Sequence, residues 1–257
     1  MRFASLGSGS AGNCLAVQAG NTTLLLDCGF GLKETITRLA RLKLEVEDLA
    51  GIMLTHEHDD HAGSAFRLAA KYHIPVFATH GTFQALGGMP AGVDSRIIDS
   101  HTLFSIGDLQ VQPYPVPHDA REPTQFVLGD GSGRLGVLTD AGSSTPHIEF
   151  MLSGCQALVL ECNHDLDMLL GSSYPRSLKQ RISSKFGHLD NASSATLLSR
   201  LNNSKLQHLV GAHLSAQNNT PALVRRALSH ILNCEEDWIG IADQVAGFAW
   251  REINPGA

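Results

Sequence analysis

The chain has 257 residues, 43% hydrophobic and 17% charged, which is enough to bury a substantial core. Against 19 Lys and Arg stand 25 Asp and Glu, and the net charge of −6 excludes nucleic-acid binding spread over the whole surface, leaving only a local basic patch for such a partner. No apolar run reaches a membrane span, the first residues lack the pattern of a signal peptide, and the five cysteines (Cys14, Cys28, Cys155, Cys162, Cys234) form no CxxC pair, so a cytoplasmic protein without membrane or disulfide framework is expected.

In the first third, short strands alternate with helices. Residues 2–6 and 14–19 read as strands, and 22–28 is a β-rich run that reaches Asp27. Gly20-Asn21 suits a tight hairpin turn between the last two. Residues 31–43 carry Leu32, Ile36, Leu39 and Leu42 at helical spacing, 51–55 is a short apolar strand, and 62–72 reads as a helix with Phe66, Leu68 and Ala69 inward. The middle predicts strands at 102–106, 109–116, 124–129 and 134–139, punctuated at Gly107-Asp108 and Asp130-Gly131. A buried strand at 157–161 follows, then helices near 174–183, 190–201 and 220–232, a strand at 207–212, and one or two closing strands within 238–250. Strands and helices in both halves predict a single α/β (α+β) domain over 1–257, with two mixed sheets packed together and helices outside.

The run Thr55-His56-Glu57-His58-Asp59-Asp60-His61 puts three His and two Asp within six residues. The strand before it would deliver them to a sheet edge. His56 and His58, two apart, point to one side of an extended backbone, and Asp60 and His61 fall where the chain turns into a helix. Two pairs of ligands are thus offered to two adjacent points, and imidazole with carboxylate suits Zn²⁺, and also Mn²⁺ or Fe²⁺. The metalloprotease HExxH spacing is excluded, because the position four after His56 is Asp60. A polar turn with chance histidines is the competing reading, and the density of ligands argues against it.

His56-x-His58-x-Asp60-His61 resembles the signature of the metallo-β-lactamase superfamily. Further motifs follow in that superfamily's order: Asp27 in Leu25-Leu26-Asp27, His118 in Pro117-His118-Asp119, Asp140 in Leu138-Thr139-Asp140, and His213 after Leu209–Ala212. The resemblance implies an αββα sandwich with its site at one edge of the sheets. It implies two divalent metal ions, Zn²⁺ first, with Mn²⁺ or Fe²⁺ as alternatives. One would be held by His56, His58 and His118, the other by Asp60, His61 and His213. Asp140 and a hydroxide would bridge them, and Asp27 would orient the ligands without binding metal. The residues expected to carry catalysis are Asp60, Asp140 and His188. His188 precedes a helix capped by Asp190 or Asn191, and resembles the histidine of phosphodiesterase branches that would protonate the leaving group. A surface histidine near a helix start is the competing reading.

Three segments narrow the branch. The Gly/Ser-rich loop Leu6–Cys14, the segment Glu161-Cys162-Asn163-His164-Asp165, and His213-Leu214-Ser215 with Asn218-Asn219-Thr220-Pro221 resemble the WalJ/YycJ subgroup, in which alanine is frequent at the position of Cys162. That implies a nuclease, a 5′-to-3′ exonuclease on DNA, with Ser8, Ser10, Asn13 and His164 as substrate contacts. His164 and Asp165 read equally as a helix start. Arg176, Lys179, Arg181 and Lys185 form the one local basic cluster, either a phosphate-backbone site or a solvated helix face. The interval from Asp140 to His213 is too short for an inserted β-CASP domain. A thioester hydrolase resembling glyoxalase II and a lactonase share the metal signature and are the alternatives. A non-catalytic scaffold is disfavoured by the complete ligand set. Homo-oligomerisation stays open.

Overall fold

The computed structural model describes residues 1–255. In chain order its strands are Arg2–Gly7 (β1), Cys14–Ala19 (β2), Thr22–Leu26 (β3), Leu49–Met53 (β4), Val76–Thr79 (β5) and Ser95–Ile98 (β6), then Phe104–Ile106 (β7), Leu109–Pro115 (β8), Thr124–Gly129 (β9), Arg134–Leu138 (β10), Ala157–Glu161 (β11), His208–Ala212 (β12) and Gly240–Ile241 (β13), and last Phe248–Glu252 (β14). They build two seven-stranded sheets of order β14-β1-β2-β3-β4-β5-β6 and β13-β12-β11-β10-β9-β8-β7. Each half of the chain thus makes one sheet, and the last strand returns to close the first. The helices are Leu32–Arg41 (α1), Asp59–Ala62 (α2), Ala65–Tyr72 (α3), His80–Ala85 (α4), Pro146–Leu152 (α5), Leu166–Gly171 (α6), Arg176–Ile182 (α7), Asn191–Arg200 (α8) and Pro221–Leu232 (α9). No helix among the described residues is long and apolar enough to cross a membrane.

The central strands β3, β4, β10, β11 and β12 are buried along nearly their whole length because both faces are covered. Alternate side chains go to opposite sides. Leu24 and Leu26 of β3, Val137 of β10, Val159 of β11 and Val210 of β12 meet between the sheets. Leu25 packs instead with Leu39 of α1 and Leu68 of α3, while Leu158, Leu160 and Leu209 pack with Leu198 of α8 and Leu228 of α9. This is the expected sandwich with helices outside.

Direction matters more to the site than layering. Strands β3 to β6 run parallel, as do β10, β11 and β12, and β8 is antiparallel to β9, which is antiparallel to β10. The C-terminal ends of β3, β4, β8, β10, β11 and β12 therefore share one edge of the sandwich. Asp27, His56, His118, Asp140, Glu161 and His213 stand at or just beyond those ends.

Some elements differ from the sequence reading. The helix expected over 62–72 starts later, as α3 at Ala65: a separate short helix, α2, ends at Ala62, and the Ser64 hydroxyl in between is spent on Phe30 O. Strands β5 and β6 and helices α4, α5 and α6 lie outside the elements read from sequence. The closing segment gives two strands, one in each sheet. Asp190 rather than Asn191 caps α8, accepting Ser193 N–H. Asp165 caps α6, so the helix-start reading of that residue holds.

Candidate metal centre

Two clusters of donor atoms lie side by side at the shared edge. In the first, His56 Nε2 stands 3.0 Å and His118 Nε2 3.3 Å from His58 Nδ1. In the second, Asp60 Oδ2 stands 3.4 Å from His213 Nε2 and 3.6 Å from His61 Nε2. Asp140 lies between them, Oδ2 at 2.8 Å from His61 Nε2 and Oδ1 at 4.0 Å from His118 Nε2. Donors bound to a tetrahedral Zn²⁺ stand roughly 3.3 Å apart. All seven residues expected to hold metal are therefore brought together at ligand-like spacing.

Their outer hydrogen bonds decide which ring nitrogens face inward. His56 Nδ1 donates to Thr55 Oγ1 at 2.9 Å, His61 Nδ1 to Asp27 Oδ2 at 2.7 Å, and His118 Nδ1 to Gly187 O at 3.0 Å. Each bond places the proton on the outer nitrogen and leaves a bare lone pair on the inner one. Asp140 Oδ2 is buried and accepts no hydrogen bond, although it faces His61 Nε2. Lone pairs converging on lone pairs in a buried pocket require a cation or extra protons between them. The donor set fits divalent metal.

Without metal, protons take that role. Burial opposes it at His61, but Asp140 and Asp27 outweigh burial and raise this imidazole well above its ordinary value. Asp140 is held well below the carboxylate range, despite burial, by His213, His61 and His188. Burial dominates at His56 and lowers it.

Asp27 is the residue that orients. It is 3% exposed, and its carboxylate accepts Thr55 N–H at 2.9 Å, the Thr55 hydroxyl at 3.0 Å and His61. We expect Asp27→Asn, which keeps the shape but cannot take all three bonds, to lower metal affinity about 10–100-fold with little change in fold. Metal titration followed by circular dichroism checks both halves of that statement. Asp27, Asp140 and His213 adopt φ of 63°, 52° and 56°, left-handed conformations that most side chains avoid, each within two residues of a strand end. Close approach is needed too: a Cβ on Gly29 would overlap the main-chain carbonyl of Asp60.

The expected substrate contacts divide. Ser10 is exposed. Ser8 and Asn13 are buried and joined to each other, Ser8 Oγ donating to Asn13 Oδ1 at 2.9 Å and accepting His213 N–H at 2.9 Å. Asn13 N–H donates to Asp60 O at 2.8 Å, and its amide lies 3.1 Å from His61 Nε2. The Gly/Ser loop thus ties the metal-bearing turns together rather than opening its donors outward. His164 is 1% exposed, with Nδ1 at 3.3 Å from Asn163 Oδ1, and is turned into the protein instead of toward a substrate.

His188 stands beside the clusters with its side chain 19% exposed. Its Nδ1 is 2.8 Å from Glu161 Oε1 and 3.2 Å from Asp140 Oδ1. Burial pulls its pKa down, but Glu161 and Asp140 prevail and raise it to about 10. Glu161 itself is fully buried and accepts Ala141 N–H at 2.8 Å and Leu189 N–H at 3.3 Å on its other oxygen. The sequence reading assigned Glu161 no role, although it carried the same signal as Asp27 and Asp140: a carboxylate closing an apolar strand. Asp140, Glu161, His188 and His213 also have donors within 4.8 Å of one another, which makes a ligand role for His188 the rival of an acid role.

Of the basic cluster, Lys179 Nζ donates to Leu170 O at 2.6 Å and Ser172 O at 2.7 Å, closing the α6–α7 connection. Arg176, Arg181 and Lys185 are exposed, and Arg181 Nε donates to Asp119 Oδ2 at 2.6 Å.

Residues 22–213 match the family described as Beta-lactamase superfamily domain. The chain is 34% identical over 249 residues to Exodeoxyribonuclease YycJ of Bacillus anthracis, covering 95% of this chain and 92% of that one. It is 30% identical over 245 residues to Exodeoxyribonuclease WalJ of Streptococcus pneumoniae, covering 93% and 91%. Among solved structures, the metallo-β-lactamase fold protein YhfI of Bacillus subtilis superposes with a TM-score of 0.78 at 16% identity, covering 98% of both chains.

Proposed function

Because the chain belongs to the β-lactamase superfamily, we propose that it is a metal-dependent phosphodiesterase, specifically an exonuclease that removes nucleotides from DNA in the 5′-to-3′ direction. One observation carries this reading: a paired donor set in which the outer nitrogens of His56, His61 and His118 are engaged, next to His188, whose Nδ1 lies 2.8 Å from buried Glu161. The two relatives named as exodeoxyribonucleases, matched over nearly their full length, support the choice of substrate.

In this reading His56, His58 and His118 would hold one ion and Asp60, His61 and His213 the other, with Asp140 within reach of both groups. Zn²⁺ suits the donors first, with Mn²⁺ and Fe²⁺ as alternatives. When bound, such ions supply Lewis acidity for the charge that develops on phosphate and a hydrolytic nucleophile from water at neutral pH. The protein does the rest. Asp60, half-buried beside His61 and His213, would help orient the attacking water as a hydrogen-bond acceptor. Glu161 holds His188 Nδ1–H, so the ring presents its Nε2–H to the leaving oxygen.

A panel of 5′-phosphorylated duplex DNA, single-stranded DNA, RNA and a glutathione thioester tests the proposal on metal-loaded protein. Release of mononucleotides from 5′ ends is the expected result. Thioester cleavage without DNA cleavage would move the protein to the glyoxalase II-like reading. The exposed part of the basic cluster gives a second expectation. Reversing Arg176 and Lys185 to Glu should remove about two phosphate contacts and flatten the salt dependence of DNA affinity by a log–log slope of about 2. Binding measured from low to moderate salt checks this, and an unchanged slope makes the cluster a solvated face.

A further inference from the structure

The turn after α7 is anchored on the metal side by its main chain and leaves an aromatic ring in solvent. His118 Nδ1 donates to Gly187 O at 3.0 Å, Asp119 N–H to Phe186 O at 2.9 Å, and Ser143 Oγ to Lys185 O at 3.2 Å. His188 N–H donates back to Ile182 O at 2.9 Å, closing the turn. Phe186 is thus fixed in position two residues from the proposed acid. Its ring is nevertheless 59% exposed and belongs to none of the apolar clusters among the described residues. A single exposed aromatic is ordinary on a protein surface. One whose backbone is tied to a residue flanking a metal ligand is a different matter.

Arg181, in the last turn of α7, joins the same anchor. Its Nε–H is taken by Asp119, whose other oxygen lies 3.4 Å from His118 Nε2. Its two terminal NH₂ groups donate to no protein atom among the described residues, and the side chain is 57% exposed. A guanidinium held at one end with its fork free is pre-organised for phosphate oxygens. Lys179, two residues earlier but engaged with Leu170 O and Ser172 O, cannot substitute for it.

Resting on the nuclease reading above, we propose that this turn reads one nucleotide of the substrate: Arg181 takes a phosphate with its free fork, and Phe186 stacks on the base. Stacking tolerates any base, so the turn confers preference for nucleic acid without sequence preference. The charge stays local to the rim, in keeping with a chain that is acidic as a whole.

The test uses the full, Mn²⁺-loaded chain. A phosphorothioate-linked trinucleotide with 2-aminopurine at its 5′ end reports stacking by fluorescence quenching, without turnover. Wild type should quench it, Phe186→Ala should not, and Phe186→Trp should. On cleavable DNA, Phe186→Ala should raise KM on the order of tenfold, and leave KM unchanged when the terminal nucleotide is abasic. Arg181→Ala should raise KM on both substrates, with partial recovery in Arg181→Lys. Quenching that survives Phe186→Ala, or an equal loss on intact and abasic DNA, would overturn the role of Phe186. Wild type that cleaves DNA with no effect of either substitution overturns the rim alone. Wild type that quenches the probe but cleaves no nucleic acid overturns the nuclease reading and leaves the rim standing as a nucleotide site.

Discussion

Asp140→Ala is expected to abolish hydrolysis, by about 10³-fold or more, and to lower bound metal. Among the described residues, Asp140 is the one carboxylate within reach of both donor clusters, and it also faces His188 and His213 at 3.2 and 3.4 Å. Removing it leaves the remaining imidazoles facing one another with less negative charge to hold cations. Alanine at φ 52° also carries a backbone penalty of about 1–2 kcal/mol, so the substitution mixes two effects. Asp140→Asn separates them, because asparagine tolerates the left-handed region and keeps the size. Equal losses of metal and turnover in both variants assign the effect to charge. An Asp140→Asn protein with full metal and full activity would remove Asp140 from the site. Metal analysis beside turnover of a simple phosphodiester reads all of these.

His188→Ala is expected to reduce turnover about 10²–10⁴-fold while metal content stays at the wild-type level. An acid works only while protonated, so activity should fall as pH rises through the pKa of His188, and that alkaline limb should vanish in the variant. The pKa is raised chiefly against burial by Glu161. Glu161→Gln should therefore move the alkaline limb to lower pH, since the imidazolium loses its nearest countercharge. A structural role for Glu161 would lower activity at every pH alike. Loss of metal in His188→Ala would make this residue a ligand, as the grouping with Asp140, Glu161 and His213 allows.

The sandwich and the turns that carry the candidate ligands were legible for a shared physical reason. A strand buried on both faces is a run of apolar residues, and a charged or imidazole side chain directly after such a run has a marked place in sequence. Asp27, His56, Asp140 and His213 all follow that rule. What lay outside the reading obeyed other constraints. Strand β5 has four residues after Pro75, too short to show a period, and β6 is an edge strand in which only Ile98 is buried. Helices α5 and α6 have seven and six residues, with too few turns for an apolar stripe. The Gly/Ser loop was expected to offer Ser8, Ser10 and Asn13 to a substrate. Its hydrogen bonds to Asp60 and His213 are long-range pairings that composition does not encode. Glu161 is the residue to which the strand-end rule could have been extended, and its contact with His188, 27 residues away, is a pairing that composition does not encode.

The two donor clusters are not confined to one layer. His56, His58, Asp60 and His61 follow a strand of the first sheet, whereas His118, Asp140 and His213 follow strands of the second. A cation held by both sets is a rivet through the sandwich, and parting the layers must first release it. Chelation should then shorten the lifetime of the folded protein as well as silence it. An ion present at a hundred times its dissociation constant would contribute about 2.7 kcal/mol against unfolding. On this view the supply of metal sets how long each copy lasts, and a metal-starved cell would lose the protein before it could accumulate in an idle form.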